Sequence, residues 1–267
     1  MILMDMLIQP HYDDAVQQFN EKNIVFLGLC GSQNYGLALP TSDVDTKLLV
    51  TPTFEQVAHA KEPDSSTITR ENKEHIDITD IRLYINNLRK ANPNFLETLF
   101  TNYNYINPLY EEEFNKLIAA REEIVADNRI GLLKATKGMI ISNYKEMYNA
   151  GSEQRAKMIE NYGYNPKSFC QMARLTYFFE DYFLRDYSFN AALAPSAAAR
   201  EQLLDFKTGR HSLFIVQPYV EALCKNVTTS IDNYLKNYEA SRSEEIFNLL
   251  LEVRYNIMKI SITKELE

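Results

Sequence analysis

The chain has 267 residues, 45% of them hydrophobic and 24% charged, with 28 Lys and Arg against 36 Asp and Glu for a formal charge of −8. That is enough chain to bury a core without a metal or disulfide staple, and the ordinary composition excludes a fibrous, collagen-like or wholly disordered protein. The negative balance excludes a general nucleic-acid coat, which needs a broad basic surface, and leaves room for a local basic patch.

The opening segment MILMDMLIQP has no basic residue and carries Asp5, which argues against a signal peptide. The apolar run Ile24 to Cys30 is far short of the ~20 residues that span a bilayer. Cys30, Cys170 and Cys224 are odd in number and widely spaced. They suit a reducing compartment and offer no metal-ligand cluster. His11, His59, His75 and His211 are equally scattered, so neither a zinc site nor a Cys/His nucleophile is expected. A cytoplasmic protein without a membrane partner is the expectation.

In chain order, short helical stretches are expected at about 11–21 and 53–60. Between and after them come β-rich runs. Residues 23–30 read as a buried strand, and 43–50 alternate and then run apolar. Ser66–Thr69 and His75–Thr79 flank the polar Arg70–Glu74 as a hairpin. Strands mixed with helices argue α/β or α+β for this part.

After Asp80 the pattern is helical almost to the end. Ile81, Ile85 and Leu88 recur at helical spacing, and Asn94 is read as a cap for 95–100. Longer amphipathic stretches follow at about 109–125, 129–149, 168–184, 211–237 and 243–262. Ala191–Ala199, with Pro195, reads as a loop or helix start. The boundary is placed within 105–128, dividing the chain into 1–105 and 106–267.

The stretch that carries chemistry is Gly31-Ser32-Gln33-Asn34-Tyr35-Gly36, followed by Ser42-Asp43-Val44-Asp45. Gly31 permits a sharp turn after a strand and brings backbone N–H groups close to an anion, and Ser32 adds a hydroxyl donor. Asp43 and Asp45 are one residue apart, so on a strand they share a face while Val44 points into the core. Two neighbouring carboxylates repel unless a cation lies between them, and Mg²⁺ prefers carboxylate oxygens together with phosphates. Two-metal phosphoryl chemistry needs a further carboxylate. The candidates are Asp77 and Asp80. Strand parity turns Ile76 and Ile78 inward and Asp77 and Thr79 outward, whereas Asp80 is suited to cap the helix beginning at Ile81. Asp77 is therefore chosen.

The pattern G-S-x-x-Y-G…S-D-x-D resembles the signature of the DNA polymerase beta-type nucleotidyltransferase superfamily. More narrowly, the chain resembles the bacterial and phage RNA repair pathway DNA polymerase beta family. Leu88-Arg-Lys-Ala-Asn92-Pro93-Asn94 with Glu97 supports that match, as does Tyr162-Gly-Tyr164-Asn-Pro166-Lys167 followed by Arg174. The resemblance implies an α+β fold: a small mixed β-sheet nucleotidyltransferase domain with helices, then an all-α domain, with the nucleotide between them. It implies transfer of a nucleoside monophosphate from an NTP to an acceptor, an RNA end, a small molecule or a protein, with release of pyrophosphate. Gly31 and Ser32 would hold phosphates, with Tyr35, Lys167 and Arg174 as further nucleotide contacts. Asp43, Asp45 and Asp77 would bind two Mg²⁺ ions, and Asp77 would help deprotonate the acceptor. The other reading is an inactive nucleotidyltransferase fold serving as a nucleotide- or partner-binding module.

Lys167 and Arg174 are seven residues apart, hence on one helix face. They lie in a locally basic region, with nine Lys and Arg against six Asp and Glu between residues 121 and 174. Lys47, two residues beyond Asp45, departs from a plain apolar strand, and its side chain is left unassigned between substrate and solvent.

Overall fold

The computed structural model describes residues 2–238 and 242–267. The chain falls into two compact units. One comprises Met1–Asn34, Ala38–Asn128 and Ser241–Glu267, and the other Tyr35–Leu37 and Arg129–Ala240.

The first unit begins with helix α1 (Ile2–Gln18), then β1 (Ile24–Cys30), β2 (Asp45–Val50), α2 (Phe54–Ala58), β3 (Ser65–Thr69) and β4 (His75–Asp80). Helices α3 (Ile81–Arg89) and α4 (Pro93–Leu96), strand β5 (Asn104–Ile106), and helices α5 (Glu111–Ala119) and α6 (Arg121–Asp127) follow. The five strands form one sheet in the order β3-β4-β2-β1-β5. β2 and β4 run parallel, and the other neighbours are antiparallel. β3 and β4 form the expected hairpin. The fold is α+β with a mixed sheet.

The alternation of side chains gives the sheet two different faces. Ile24, Leu27, Leu29, Leu48, Val50, Ile76 and Ile78 form one apolar cluster with Val44 and with Ile8 and Ala15 of α1. The opposite face is apolar at one end only. There Phe26, paired with Leu49, stacks on Phe114 of α5 with ring centroids 4.7 Å apart, and Tyr84 of α3 stacks on Phe114 in turn. Each such ring contributes roughly 1.5–3 kcal/mol by leaving water. This packing puts residues 107–128 with the sheet, whereas a division at 105/106 was expected from the sequence.

The second unit is helical: α7 (Arg129–Glu146), α8 (Glu153–Tyr162), α9 (Pro166–Phe179) ending in a π-helical turn (Glu180–Leu184), α10 (Phe189–Leu193), α11 (Ala197–Lys207) and α12 (Leu213–Asn237). α9 is its core, with Phe169, Met172, Leu175 and Phe178 buried and α7 and α11 packed against it. The chain then returns to the first unit as α13 (Glu244–Leu266), against α3 and α5. Ser261 of α13 shares a 2.6 Å hydrogen bond with Thr51 just past β2.

Several local readings shift. Asn92, not Asn94, caps the short helix, accepting from the Asn94 N–H with Pro93 in the first turn. α8 buries no residue fully, so it lacks the apolar stripe that would have announced it. No described helix is long and apolar enough to cross a membrane.

Candidate active site

β1 carries no charged residue and is buried over its whole length except Cys30. At its end the chain enters a short 3-10 turn, Gly31–Gln33, with Gly31 at φ +73°. That conformation favours glycine. A Cβ at Gly31 would meet nothing within 4 Å, so the turn faces open space. Asn34 anchors the loop: its Nδ2 donates to the Leu29 carbonyl at 2.6 Å, and its Oδ1 accepts from Thr101 Oγ1 at 2.9 Å. Ser32, half-buried, sits inside this turn.

β2 starts at Asp45, so Asp43 lies just ahead of the strand rather than on it. The alternation nevertheless holds: Val44 is buried, and Asp43 and Asp45 are half-buried. Asp45 pairs in register with His75, and Lys47 pairs with Asp77. Asp45, Lys47, His75 and Asp77 therefore share one face of the two parallel strands. Asp45 Oδ1 accepts from the His75 backbone N–H and approaches His75 Nδ1, both at 3.2 Å. Asp77 is exposed, and its Oδ1 accepts from Thr67 Oγ1 at 2.9 Å. The parity argument separates Asp77 from Asp80 as expected. Asp80 is buried, caps α3 through the Arg82 N–H at 2.7 Å, and pairs with the Arg82 guanidinium. Thr79 was expected outward beside Asp77. It is buried, because the face is closed by the Phe26 aromatic cluster at that end and open only toward Asp45 and Asp77.

Lys47 is the unforeseen element. It is buried, with Nζ 4.6 Å from the Phe95 ring centroid and 4.0 Å from Asp77 Oδ2. Cys30 reports on the same space. Burial pushes its thiol well up, Glu97, Asp77 and Asp45 push it the same way, and Lys47 pulls against them. Glu97, which in the sequence supports only the family resemblance, acts on Cys30 together with Asp45 and Asp77 and so belongs to the electrostatic neighbourhood of those carboxylates. His75, Thr67, Phe95 and Glu97 join the site through sheet register and through the 92–100 turns. No spacing in the sequence marks those relationships.

The donor set suits magnesium in kind: Asp43, Asp45 and Asp77 offer hard carboxylate oxygens, all at least partly open to solvent. Among the described residues, no three His, Cys, Asp or Glu side chains stand close enough together to hold an ion. Asp45 is turned to His75, and Asp77 is engaged by Thr67 and Lys47.

In the second unit, Asn165 caps α9 by accepting from the Lys167 backbone N–H at 3.1 Å, with Pro166 in the first turn, as expected. The spacing of seven puts Lys167 and Arg174 on one face but not in one environment. Lys167 is exposed, whereas Arg174 is buried with its guanidinium carbon 4.0 Å from the Tyr35 ring centroid. Arg174 Nε also donates to Gln171 Oε1 at 3.0 Å. Tyr35 is thus held by α9.

The model of a family described as the RNA repair pathway DNA polymerase beta family matches residues 8–160. The match includes the Gly31–Asp45 motif and Asp77, and ends before Lys167. A search of curated proteins found no match. Among solved structures, the chain is similar to a nucleotidyltransferase-like protein from Exiguobacterium sibiricum, at 11% identity and a TM-score of 0.33, covering 98% of this chain and 78% of that one.

Proposed function

The chain belongs to the RNA repair pathway DNA polymerase beta family, and from that premise we propose that it is a magnesium-dependent nucleotidyltransferase, moving a nucleoside monophosphate from an NTP to an acceptor. The observation that carries this reading is the shared open face of β2 and β4. It holds Asp45 and Asp77 on adjacent parallel strands, with Asp43 immediately ahead of β2.

In this reading Gly31 and Ser32 receive phosphate oxygens at a turn that presents backbone donors. Tyr35, Lys167 and Arg174 are further nucleotide contacts. Asp43, Asp45 and Asp77 would hold magnesium, which when bound supplies stabilisation of charge on the phosphoryl oxygens. An acceptor oxygen attacks the α-phosphorus, the bond from that phosphorus to the bridging oxygen breaks, and pyrophosphate leaves. Asp77, the most open of the carboxylates, takes the acceptor proton. An RNA end is the acceptor that the family's description suggests, and the three free cysteines suit a cytoplasmic setting.

A second reading, a nucleotide-binding module without transfer, is favoured by one observation. Asp77 already has partners in Lys47 and Thr67. The experiment that separates the two is incubation with each labelled NTP, Mg²⁺, a tRNA pool and cell extract, with pyrophosphate release followed in parallel. Label on RNA, on a small molecule or on a protein identifies the acceptor and supports transfer. Nucleotide binding without pyrophosphate release selects the module, and neither binding nor release overturns both.

A further inference from the structure

On the open face of the sheet, acidic and basic side chains alternate both along and across the two parallel strands. Along β2 the face carries Asp45 and then Lys47, and along β4 His75 and then Asp77. Across the strands Asp45 meets His75, and Lys47 meets Asp77. The second row continues onto β3, where Thr67 pairs in register with Asp77. Asp77 is therefore engaged from both sides. Its Oδ1 accepts from Thr67 Oγ1 at 2.9 Å, and its Oδ2 faces Lys47 Nζ at 4.0 Å.

Lys47 is fixed in this row by its surroundings. β2 lies between β4 and β1, and Lys47 is buried on it. Its register partner on β1 is Gly28, which has no side chain to draw the ammonium away. A Cβ at Gly28 would come within 2.4 Å of the Phe26 ring, so packing excludes a carboxylate there. Phe95 lies against the ammonium, with its ring centroid 4.6 Å from Nζ. By contrast, no lysine or arginine among the described residues pairs with Asp43 or Asp45, and Asp45 meets the His75 ring at 3.2 Å.

Two-metal phosphoryl transfer sets its ions ~3.5–4 Å apart on shared carboxylates. An ion on Asp77 Oδ2, at the ~2 Å of a magnesium–oxygen contact, would lie within about 6 Å of a positive charge that is already in place. The two would repel at that separation. We propose that Lys47 stands in for the second magnesium ion, and that the site takes a single divalent cation beside it. This inference rests on the magnesium site of the transferase reading and narrows its metal requirement. The stand-in supplies charge and N–H donors but no coordination positions. It can neutralise anionic oxygens, but it cannot acidify an acceptor hydroxyl, whose proton then goes directly to Asp77.

The test is equilibrium dialysis of the full chain against Mn²⁺ with the α,β-methylene analogues of ATP, CTP, GTP and UTP in turn. The methylene bridge prevents release of pyrophosphate. Manganese and nucleotide are counted in excess over the protein-free chamber. The wild type takes up one manganese with its nucleotide. Lys47→Met keeps the stem, removes the charge and takes up two at the same free manganese. Lys47→Gln removes the charge a second way and does the same, with circular dichroism confirming that the variants are folded. Two ions in the wild type overturn the proposal and leave the transferase reading intact. One ion in the wild type and in both variants also overturns it, because the charge of Lys47 is then not what keeps a second ion out. No manganese in the wild type overturns the proposal and removes the metal from the transferase reading. A protein that shows the expected counts but transfers nothing from natural NTPs keeps this inference and loses the catalytic one.

Discussion

Lys47 Nζ lies 4.0 Å from Asp77 Oδ2, and the lysine reaches that position from a buried place on the strand beside it. An ammonium group is strongly hydrated, and burying one is unfavourable unless an opposite charge or a ring face compensates it. Asp77 and Phe95 supply both. Because the Asp77 side chain is 54% exposed, the pair is well screened and its contribution to stability is small. Its consequence falls on the carboxylate, which a resident cation already partly neutralises. Lys47→Met keeps the stem and removes the charge. The expected outcome is a melting temperature within a few degrees of wild type, a larger rise in that temperature on adding Mn²⁺, and transfer slowed about tenfold or more. An unchanged response to Mn²⁺ together with unchanged transfer would reduce Lys47 to packing.

Asp43→Asn and Asp45→Asn are expected to abolish transfer while leaving the fold intact. Both side chains are partly open, and neither sits in the apolar cluster under β2. Removing one of two neighbouring carboxylates relieves repulsion, so the metal-free variants should melt at the wild-type temperature or above it. The amide in Asp45→Asn can still accept from the His75 N–H. Calorimetry in EDTA and the labelled-NTP assay together decide this, and full activity in either variant would sink the transferase reading.

Asp77 and Asp80 make the sharpest pair of variants, because they differ in burial and in partners. Asp77→Asn should cost orders of magnitude in transfer with little change in melting. Asp80→Asn removes the charge that caps α3 and pairs with Arg82. That should cost about 1–3 kcal/mol of stability, seen as a lower urea midpoint, with a much smaller effect on rate. The reverse pattern would show that the third carboxylate has been misassigned.

Much of this site is legible from one dimension, because its logic is local. The Gly31 turn, the alternation about Val44, and the opposite facing of Asp77 and Asp80 all follow from backbone preference and a period of two. What the sequence could not supply is lateral. Lys47 faces Asp77, and Asp45 faces His75, only because β2 and β4 are parallel neighbours in one particular register. The return of α13 to the first unit, and the capture of Tyr35–Leu37 by the second, likewise join residues far apart in the chain, where no spacing rule reaches. Even the expectation that Thr79 faces outward followed the right parity. It failed because an aromatic cluster covers that end of the face.

On the other side of β2, His11 of α1 is fully buried, with Nδ1 2.9 Å from Thr46 Oγ1 and Nε2 3.1 Å from Glu74 Oε2. Glu74 is also held by Arg70, which pairs with Asp14. The neutral ring satisfies both contacts, accepting from the threonine hydroxyl and donating to the carboxylate. Burial is the main reason the His11 pKa lies below its usual value of 6.5, the nearby Arg70 charge acting the same way and Glu74 opposing. With the folded value below the unfolded one, the unfolded chain binds more protons in the window between them. Stability is therefore full above about pH 6.5 and declines as pH falls below it, with a slope of at most about 1.4 kcal/mol per pH unit. Glu74 is held below its usual value by its Asn72, His11 and Arg70 hydrogen bonds, which outweigh the opposing effect of burial, so its own contribution is lost only at more acid pH. Urea titrations from pH 8 to 5.5 should show the decline in the wild type and a flatter profile in His11→Asn, which lacks the titrating ring. A wild-type stability that does not fall between pH 7 and 5.5 would mean that His11 is charged in the folded state, and that the strand carrying Asp45 and Lys47 is anchored from beneath by an ion pair instead of a neutral ring.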